Sequence, residues 1–558
     1  MSQENLLENL KKIQFSRPGD KQKLLNTTPP EDPPDYQRFN EIQLKRRGGS
    51  ALFVICGVEN YRALRTFRGD LRRYTAVVAE PDLSRLRHLL ENEDLTGLVD
   101  KNNILFICGE AARKLGDEVE AYFSVAAVDD IFTVSPVENR KNEFQKSLAN
   151  LKKFKKTART NQATMEKFLT DWYQYFAQNL DDYIFAEPLH KLEDSLRDGQ
   201  CTIVGPGADL DDHDQLLAEA AGGWLVALDT TLPLLVKKNI TPDFVISVDT
   251  GPENMKFFEN FPSETTLVTP PYMHPDIINK ADEVLFFEPN FPPAGWLKPE
   301  VPSPGFLALS GSVATTALDF VRHLNPASCL LLGVDLCFKN HLPYSRQSPQ
   351  YLKLTAGLDR FSSLPGKIMD ILVRYELNTE TANGEEILTT ARFLSWREGL
   401  EFLIDNCSFS VYRPRDRIIP LEGTLPVEGM AREFNKKPLQ TNKKSLPEID
   451  KEGLRDKLEE LVAGLSTCAS ELQVISKMKK HDRQIAARWL EFVRSMGQKE
   501  QLVRYFQWEV DRLTREMQNI DRQEQSETFN RQLERWQKLI PTTLEAGRDL
   551  LDNLDDDS

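Results

Sequence analysis

Four short polar segments near the middle of this chain carry the residue types that a phosphate or nucleotide site needs. Glycine lets the backbone approach a ligand closely, and amides and hydroxyls at a helix start attract an anion. A carboxylate at a strand end can hold a ribose or sugar hydroxyl, and a loop histidine beside a tyrosine could supply general acid–base chemistry. The segments are Gly205-Pro206-Gly207, Asp249-Thr250-Gly251, Ser310-Gly311-Ser312, and Gly333-Val334-Asp335 followed by His341 and Tyr344.

Each segment also has a structural explanation when it is taken alone. Glycine serves tight turns, aspartate and serine cap turns and helices, and a surface histidine is more often inert. Their shared setting is the stronger argument, because each segment ends an apolar run or opens a helical pattern. Ligands of open α/β sheets bind at the carboxyl ends of the strands. We therefore expect one site where these segments meet.

The elements that must position these segments form an α/β pattern over residues 197–345. Helical patterns such as DQLLAEAA and SVATTALDFVRHL separate several of the apolar runs, and this alternation predicts a mainly parallel, doubly wound sheet. A turn-punctuated, β-like stretch follows residue 408, and we predict one central domain over 196–435. The apolar runs are CTIV, WLVAL, FVISV, TTLVT, EVLFF, FLAL and SCLLL.

A smaller α/β pattern precedes the central domain. Residues 1–50 are polar and contain a proline cluster at 29–34, which predicts an extended arm. Residues 51–195 predict a Rossmann-like domain followed by a helical connector, with Glu80 at the end of the second strand, where an acidic residue can meet a ribose. The first turn, Gly57–Asn60, lacks the glycine spacing that admits a phosphate. A structural domain without a ligand is therefore the favoured interpretation.

The C-terminal region, 445–558, is predicted to be helical. Its apolar residues alternate spacings of four and three, which is a heptad seam. The simplest arrangement is an antiparallel hairpin or bundle, and pairing between two copies of the chain is the alternative. The first seam is Leu454, Leu458, Leu461, Leu465, Cys468, Leu472 and Ile475, and the second is Phe506, Val510, Leu513, Met517 and Ile520.

Composition narrows the classes of partner. The formal net charge of −15 argues against nucleic acid, because phosphate binding demands a basic face. The first residues lack the order of a signal peptide, and no apolar run approaches the length of a membrane span. The seven cysteines are scattered without a C-x-x-C pair, which fits a reducing cytoplasm and indicates no zinc site.

The central motifs resemble those of the motility accessory factor family, flagellin glycosyltransferases of bacteria. The same domain type occurs in archaeal 6-hydroxymethylpterin pyrophosphokinases. The resemblance is carried by VGPGADL, by ALDTTLPLLVKKNITPDFVISVDTGP, by SGSVATTALDFVRHL and by LLLGVDLCF. It is strong over 200–340 and fainter over 50–430. The chain departs from the family at Gly207, where serine is usual, and at Val334, where glutamine is usual.

The resemblance implies a sialyltransferase-like central domain and a specific reaction. A nonulosonic acid, of the sialic or pseudaminic type, would move from a CMP-activated donor to Ser or Thr of flagellin, as flagellum assembly requires. CMP leaves as a phosphate monoester, with less charge to neutralise than a diphosphate. Amides, hydroxyls and tyrosines can stabilise it. We therefore expect no metal and no cofactor, with the nucleotide sugar as substrate and flagellin as partner.

The resemblance also implies roles for individual residues. His341 would be the general base on the acceptor hydroxyl, Tyr344 would lie near the leaving phosphate, and Asp335 would orient the loop beyond its strand. The C-terminal helices would bind the acceptor protein or a second copy of the enzyme. The residues implied at the nucleotide-sugar site are Gly205, Pro206, Gly207, Asp229, Asp249, Thr250, Gly251, Ser310, Gly311, Ser312 and Asp335.

Two other functions are open at this point. A pterin pyrophosphokinase-like enzyme would need ATP and Mg²⁺, with Asp209, Asp211 and Asp249 as the available ligands. A non-catalytic flagellin-binding protein would explain the missing serine and the long helices. The run Asp211–Asp214 opens a helical pattern, and charges that complement the helix dipole are its favoured interpretation.

Overall fold

The computed structural model divides into two compact units, and each is described by itself. The first comprises residues 1–170 with 506–536, and the second comprises residues 171–505 with 537–558. The structure describes residues 5–6, 9–10, 14–15, 23–30, 51–61, 74–95, 104–113, 115, 119, 130–134, 140–145, 147–148, 167–288, 291–308, 311–342, 344–356, 358–359, 362–372, 377–381, 383–436, 438, 448–478, 484–497, 499–507, 509–510, 512 and 525–556.

The first unit contains a five-stranded parallel sheet with the order β1-β4-β3-β2-β5. The run β4-β3-β2-β5 is the strand order of a Rossmann half, so the Rossmann-like prediction is confirmed. Helices Leu83–Asn92 and Glu110–Arg113 follow β3 and β4. The strands are β1 Gln14–Phe15, β2 Ala51–Cys56, β3 Tyr74–Glu80, β4 Ile104–Cys108 and β5 Asp130–Val134.

Parts of the predicted N-terminal arm belong to this unit. Gln14 and Phe15 pair with β4, and the side chains of Leu6, Leu10 and Leu24 are buried in the core. The Asn9 amide donates to the carbonyls of Leu90 and Glu93, each at 2.8 Å. Where the structure describes this segment, it is therefore a folded edge of the sheet rather than an extended arm, because its few apolar residues have a core to join.

The second unit contains an eight-stranded, all-parallel sheet, which confirms the doubly wound prediction. Its order is β10-β9-β8-β7-β6-β11-β14-β15, so the chain changes direction between β6 and β11. The strands are β6 Gln200–Val204, β7 Trp224–Leu228, β8 Phe244–Ile246, β9 Thr266–Thr269, β10 Glu283–Phe286, β11 Ser328–Leu332, β14 Ser410–Arg413 and β15 Thr424–Pro426, with a separate hairpin of β12 Leu377–Glu380 and β13 Glu386–Thr389.

One predicted strand differs. In the described part of the FLAL run, 306–308, Phe306 makes a single bridge with Glu288 and no strand forms. Leu307 is buried while Phe306 is largely exposed, so these three residues contribute one side chain to the core. Apolar composition alone did not separate a short buried connection from a strand.

Helix Val313–Leu324 shows how the layers pack. Ser312 caps its first turn, and Asn325 ends it in the left-handed region with φ 52°. Its Phe320 ring meets Phe244 of β8 edge-on, at 5.0 Å between centroids. The other helices of this unit before residue 450 are Leu180–Ile184, Asp214–Ala220, Leu232–Lys237, Pro275–Ile278, Pro292–Trp296, Pro349–Ala356, Leu364–Leu372 and Ala391–Asp405, and residues 171–178 are also helical.

The C-terminal region is helical, as predicted. All seven residues of the first heptad seam are buried, and helix Lys451–Ser476 packs against the two helices that follow it. Of the second seam, Phe506 is buried and Val510 half-buried, whereas positions 513, 517 and 520 lie outside the described residues. No helix in the described ranges has the length and apolarity to cross a bilayer. The helices are Lys451–Ser476, Gln484–Gly497, Glu500–Tyr505 and Gln525–Asp556.

Candidate functional site

The carboxyl edge of the second sheet gathers most of the predicted site. Strands β8, β7, β6 and β11 are consecutive neighbours, and all run parallel. The segments that follow them therefore lie along one edge of the sheet, next to the point where strand order reverses. These segments are Asp249–Gly251, Asp229, the glycine turn Gly205–Gly207, and the β11 loop, which we define as Gly333–Arg346. Ser310 lies outside the described residues.

The glycine turn is closed against the β11 loop. The Gly205 amide donates to the Leu332 carbonyl and the Gly207 amide to the Gly333 carbonyl, each at 2.8 Å, which extends the β6–β11 pairing. A Cβ atom at Gly205 would lie 2.5 Å from the Gly333 oxygen. The glycines are thus required for close contact between two loops. Contrary to the prediction, these two amides are not free to face an anion.

Asp335 lies at the centre of this contact. The carboxylate is buried, and its Oδ2 accepts from the Asp209 amide at 2.8 Å. Its Oδ1 has no hydrogen-bond partner among the described residues. Burial, followed by the nearby charge of Asp209, raises the pKa of Asp335 to about 7. The buried Arg413 guanidinium donates to the Val334 and Ile419 carbonyls at 2.8 and 3.0 Å.

Lys339 is a site residue that sequence reasoning missed. Its ammonium lies 2.6 Å from Asp209 Oδ1 and 2.9 Å from Asp212 Oδ2. Lys339 and Asp209 are each only 1% exposed. Burial lowers the pKa of Lys339, but its hydrogen bond and attraction to Asp209 outweigh this and leave it raised. The hydrogen bond from Lys339 lowers the pKa of Asp212. In the sequence, the only indication of a partner for Lys339 was the group of carboxylates at Asp209, Asp211 and Asp212.

The segment Asp209–Asp212, which we call the acidic run, overlaps the run Asp211–Asp214, for which charges that complement the helix dipole were the favoured interpretation. Asp209 and Asp212 bind Lys339, and Asp211 accepts from the Ser345 hydroxyl and from the Arg346 amide. Asp211 and Asp212 of the predicted run therefore pair with the β11 loop and do not simply complement the dipole of the next helix.

The predicted catalytic residues lie on the same loop. His341 is exposed and Tyr344 half-buried. The Ser345 amide donates to the Pro206 carbonyl at 2.8 Å, so this end of the loop is also tied to the glycine turn. Three non-glycine residues of the loop have left-handed backbone conformations: Leu336, Asn340 and His341, with φ of 59°, 53° and 62°. Strained backbone of this kind is characteristic of functional loops.

Asp229 is engaged inside the protein. Its carboxylate is 1% exposed and accepts from the Thr230 amide at 2.6 Å, the Ser247 hydroxyl at 2.8 Å and the Asn254 amide at 3.0 Å. Burial raises the pKa of Asp229, while these hydrogen bonds oppose the increase. The predicted contact with a nucleotide is corrected: Asp229 ties the ends of β7 and β8 together.

The segment after β8 offers one accessible carboxylate. Asp249 is exposed, and its Oδ1 accepts from the Gly251 amide at 3.2 Å. Thr250 is buried, and its hydroxyl accepts from the indole N–H of Trp172 at 2.8 Å. Trp172 also stacks on Tyr272, with 5.0 Å between ring centroids. Asp249 therefore remains able to meet a ligand, while Thr250 is held by Trp172 of the helical residues 171–178.

The start of helix Val313–Leu324 is the remaining element. Ser312 Oγ accepts from the Ala314 amide at 3.2 Å, which leaves its own O–H as a donor. Gly311 is exposed with φ 82°, and a Cβ atom placed on it would lie 3.7 Å from the indole nitrogen of Trp396. First-turn amides of a helix lack partners within the helix and attract anions.

The first unit has no comparable opening at Glu80. This side chain is fully buried and pairs with the Arg140 guanidinium at 2.7 and 3.0 Å. The amides of Val58 and Asp82 also donate to it, at 3.0 and 2.9 Å. Arg140 and two backbone amides thus occupy the positions that a ribose would need, which favours the structural interpretation of this domain.

Comparison with known proteins gives two similarities, one to a family model and one to a solved structure. Residues 174–341 match the family model described as "6-hydroxymethylpterin diphosphokinase MptE-like", so this part of the chain is similar to that family. The chain is similar to a solved structure described as "Structure of MAf glycosyltransferase from Magnetospirillum magneticum AMB-1". That similarity covers 91% of this chain and 79% of that chain, at 15% identity and a TM-score of 0.44. No curated protein matches the chain.

Proposed function

We propose that this chain is a glycosyltransferase that moves a nonulosonic acid from a CMP-activated donor to Ser or Thr of flagellin. The observation that carries the proposal is that Asp249 and the β11 loop, with His341, follow parallel strands and so lie along one edge of the sheet, beside the strand-order reversal. The motif resemblance, which falls on the same residues as the MptE-like match, supports it. The reaction would take place in the cytoplasm, before flagellin is exported.

The structure leads us to assign the binding roles to fewer residues than the sequence prediction did. Asp249 would hold a ribose hydroxyl, because its carboxylate is exposed at the edge. The donor phosphate would meet the Ser312 O–H and the first amides of helix Val313–Leu324, with Gly311 allowing close approach. The glycine turn would support the site by positioning the β11 loop.

In the proposed reaction, His341 takes the proton of the acceptor hydroxyl. The acceptor oxygen forms a bond to the anomeric carbon, and the bond from that carbon to the phosphate oxygen breaks. CMP leaves with the electron pair of that bond, and Tyr344 donates a hydrogen bond to the leaving phosphate. The balance of this step needs no oxidant, reductant or metal ion. No cofactor is therefore part of the proposal.

The MptE-like match also favours a second candidate, an ATP-dependent pterin diphosphokinase. That reaction would need Mg²⁺, which prefers carboxylate ligands. Two of its candidate ligands are occupied: Asp209 binds Lys339, and Asp211 binds Ser345 and Arg346. Across the described ranges, no group of three or more His, Cys, Asp or Glu residues could hold a metal ion. Sugar transfer fits the arrangement better.

Nucleotide binding tests the proposal directly. In calorimetry, cytidine monophosphate should bind the full chain, and Asp249→Ala should weaken it by about 10-fold or more, because a hydrogen bond to a charged group is worth roughly 1.5–3 kcal/mol. The matched control is Asp282→Ala, which removes an exposed carboxylate just before β10, at the opposite edge. Unchanged affinity in Asp249→Ala would place the pocket elsewhere.

Three further outcomes separate the candidate functions. Stabilisation by ATP with Mg²⁺, but not by cytidine monophosphate, favours the diphosphokinase, and no stabilisation by any nucleotide favours a non-catalytic binder. Transfer itself is read from the intact mass of flagellin after incubation with the protein and a CMP-nonulosonic acid. Asp229→Ala should lower the melting temperature, unlike Asp249→Ala, because it leaves three donors without their acceptor.

A further inference from the structure

The β11 loop contacts the segment that follows β6 at several described positions between Gly333 and Arg346. Backbone pairing holds its first residue, Gly333, and Asp335 accepts from the Asp209 amide. Lys339 then binds two carboxylates of the acidic run, and Ser345 reaches both Asp211 and Pro206. These contacts are spread along both segments, so the loop is held at several points. We call this set of contacts the clamp.

Among the described residues of the β11 loop, Lys339 is the only one that is buried and carries a positive charge. Its ammonium is 1% exposed and bridges Asp209, which is equally buried, to Asp212, which is 52% exposed. An ammonium is buried only when it is paired and hydrogen-bonded. Lys339 therefore cannot leave this position without exposing or stranding a charge.

The residues next to Lys339 need such a restraint. Asn340 and His341 both adopt the left-handed region, with φ of 53° and 62°. Side-chain-bearing residues leave this region unless their surroundings hold them there. The His341 amide donates to the Phe338 carbonyl at 2.9 Å, which closes a tight turn that contains Lys339 itself.

We propose that Lys339 is a positioning residue for His341. Its ion pairs with Asp209 and Asp212 fix the turn that presents His341 at the carboxyl edge, beside the glycine turn. The inference rests on the proposed function for the role of His341 as a base, and it assigns the ordering of that base to a buried lysine. Lys339 itself does not touch the reacting atoms.

The test compares Lys339→Met with Lys353→Met, which neutralises an exposed lysine on helix Pro349–Ala356. Lys339→Met should lower kcat for sugar transfer by about 100-fold at every pH, since a small misplacement of a catalytic group has an effect of that order. The KM for the donor should change by less than about 3-fold, because the groups that bind the nucleotide remain. Lys353→Met should leave both constants unchanged.

A double variant separates positioning from stability. Asp209→Asn combined with Lys339→Met removes both buried charges, so its melting temperature should recover towards wild type while kcat stays low. Recovery of kcat together with the melting temperature would show that the ion pair only stabilises the fold, and would overturn the inference. If Lys339→Met does not fold, Asp212→Asn removes only the outer ion pair and should give a smaller loss of kcat.

Hydrogen exchange gives a readout that does not depend on activity. Peptides covering 333–346 should exchange faster in Lys339→Met and unchanged in Lys353→Met. Wild-type exchange and wild-type kcat in Lys339→Met would refute the clamp. If the wild-type protein transfers no sugar, the proposed function fails, and exchange alone then decides whether Lys339 orders the turn at His341.

Discussion

The sharpest consequence of the glycine turn concerns Gly207. Its backbone has φ −64° and ψ 157°, which any residue can adopt, so a substitution there meets no conformational penalty. The space around it is filled. A Cβ atom would lie 2.4 Å from Asp335 Oδ1 and 2.6 Å from the Gly333 oxygen, below the 3.0 Å that real Cβ contacts respect.

Gly207→Ser should therefore be destabilising although serine is the usual residue of the family that these motifs resemble. Extra atoms in a packed site cost about 1–3 kcal/mol. Since each kcal/mol shifts the melting temperature of a domain of this size by about 2–4 °C, the expected decrease is about 2–12 °C. The Gly207–Gly333 hydrogen bond adds to the loss if the loops separate.

The assay is calorimetric melting of Gly207→Ser beside Gly429→Ser, whose added side chain meets nothing within 4 Å. Asp335→Ala, alone and combined with Gly207→Ser, completes a double-mutant cycle, and the penalty at Gly207 should shrink when the carboxylate is gone. If Gly207→Ser melts together with Gly429→Ser, the β11 loop has room for a hydroxyl and the steric argument fails.

Three further predictions follow from buried groups. Asp335 has a folded-state pKa of about 7 against an ordinary 3.8, so the folded state binds an extra proton between these pH values. The free energy of unfolding should therefore fall as pH rises from about 4 to 7. Asp335→Asn should flatten that slope in urea titrations, and an unchanged slope would contradict the assignment. Arg140→Met strands the buried Glu80 and should destabilise the first unit by about 3–5 kcal/mol, seen as faster hydrogen exchange in β3, whereas unaltered exchange would argue against the ion pair. Leu465→Ala, at a fully buried seam position, should cost about 2–5 kcal/mol in denaturant unfolding, while Val474→Ala, 57% exposed, should cost little; equal effects would refute the seam.

The features that sequence predicted are the local ones. The alternation of apolar runs and helical patterns located both parallel sheets, because strand and helix periodicities are set within a few residues. The Ser312 cap and the seven-residue seam from Leu454 to Ile475 follow from spacing alone. Asp249 was predicted to follow a strand, and in the structure it lies three residues after the end of β8 and is exposed.

The features that sequence missed depend on contacts between distant segments. Gly205 and Gly333 pair across a strand order that only the folded sheet defines. Lys339 would be assigned to the surface on composition, because lysine is almost never fully buried unless it is paired. Its partner Asp209 is 130 positions away. Likewise, nothing near Thr250 in sequence indicates that Trp172 holds its hydroxyl.

These contacts change where negative charge can be accommodated at the carboxyl edge. The amides of Gly205 and Gly207 donate to the carbonyls of Leu332 and Gly333 and are not available to a ligand. The acidic run beside the glycine turn carries carboxylates that would repel a phosphate. Lys339 is already neutralised by two of those carboxylates. A phosphate at this edge must therefore rely on the Ser312 hydroxyl and the dipole of helix Val313–Leu324, which suit one phosphate group better than a triphosphate. If the proposed function holds, the same geometry that keeps the glycine turn from binding the nucleotide should make the protein prefer cytidine monophosphate to ATP.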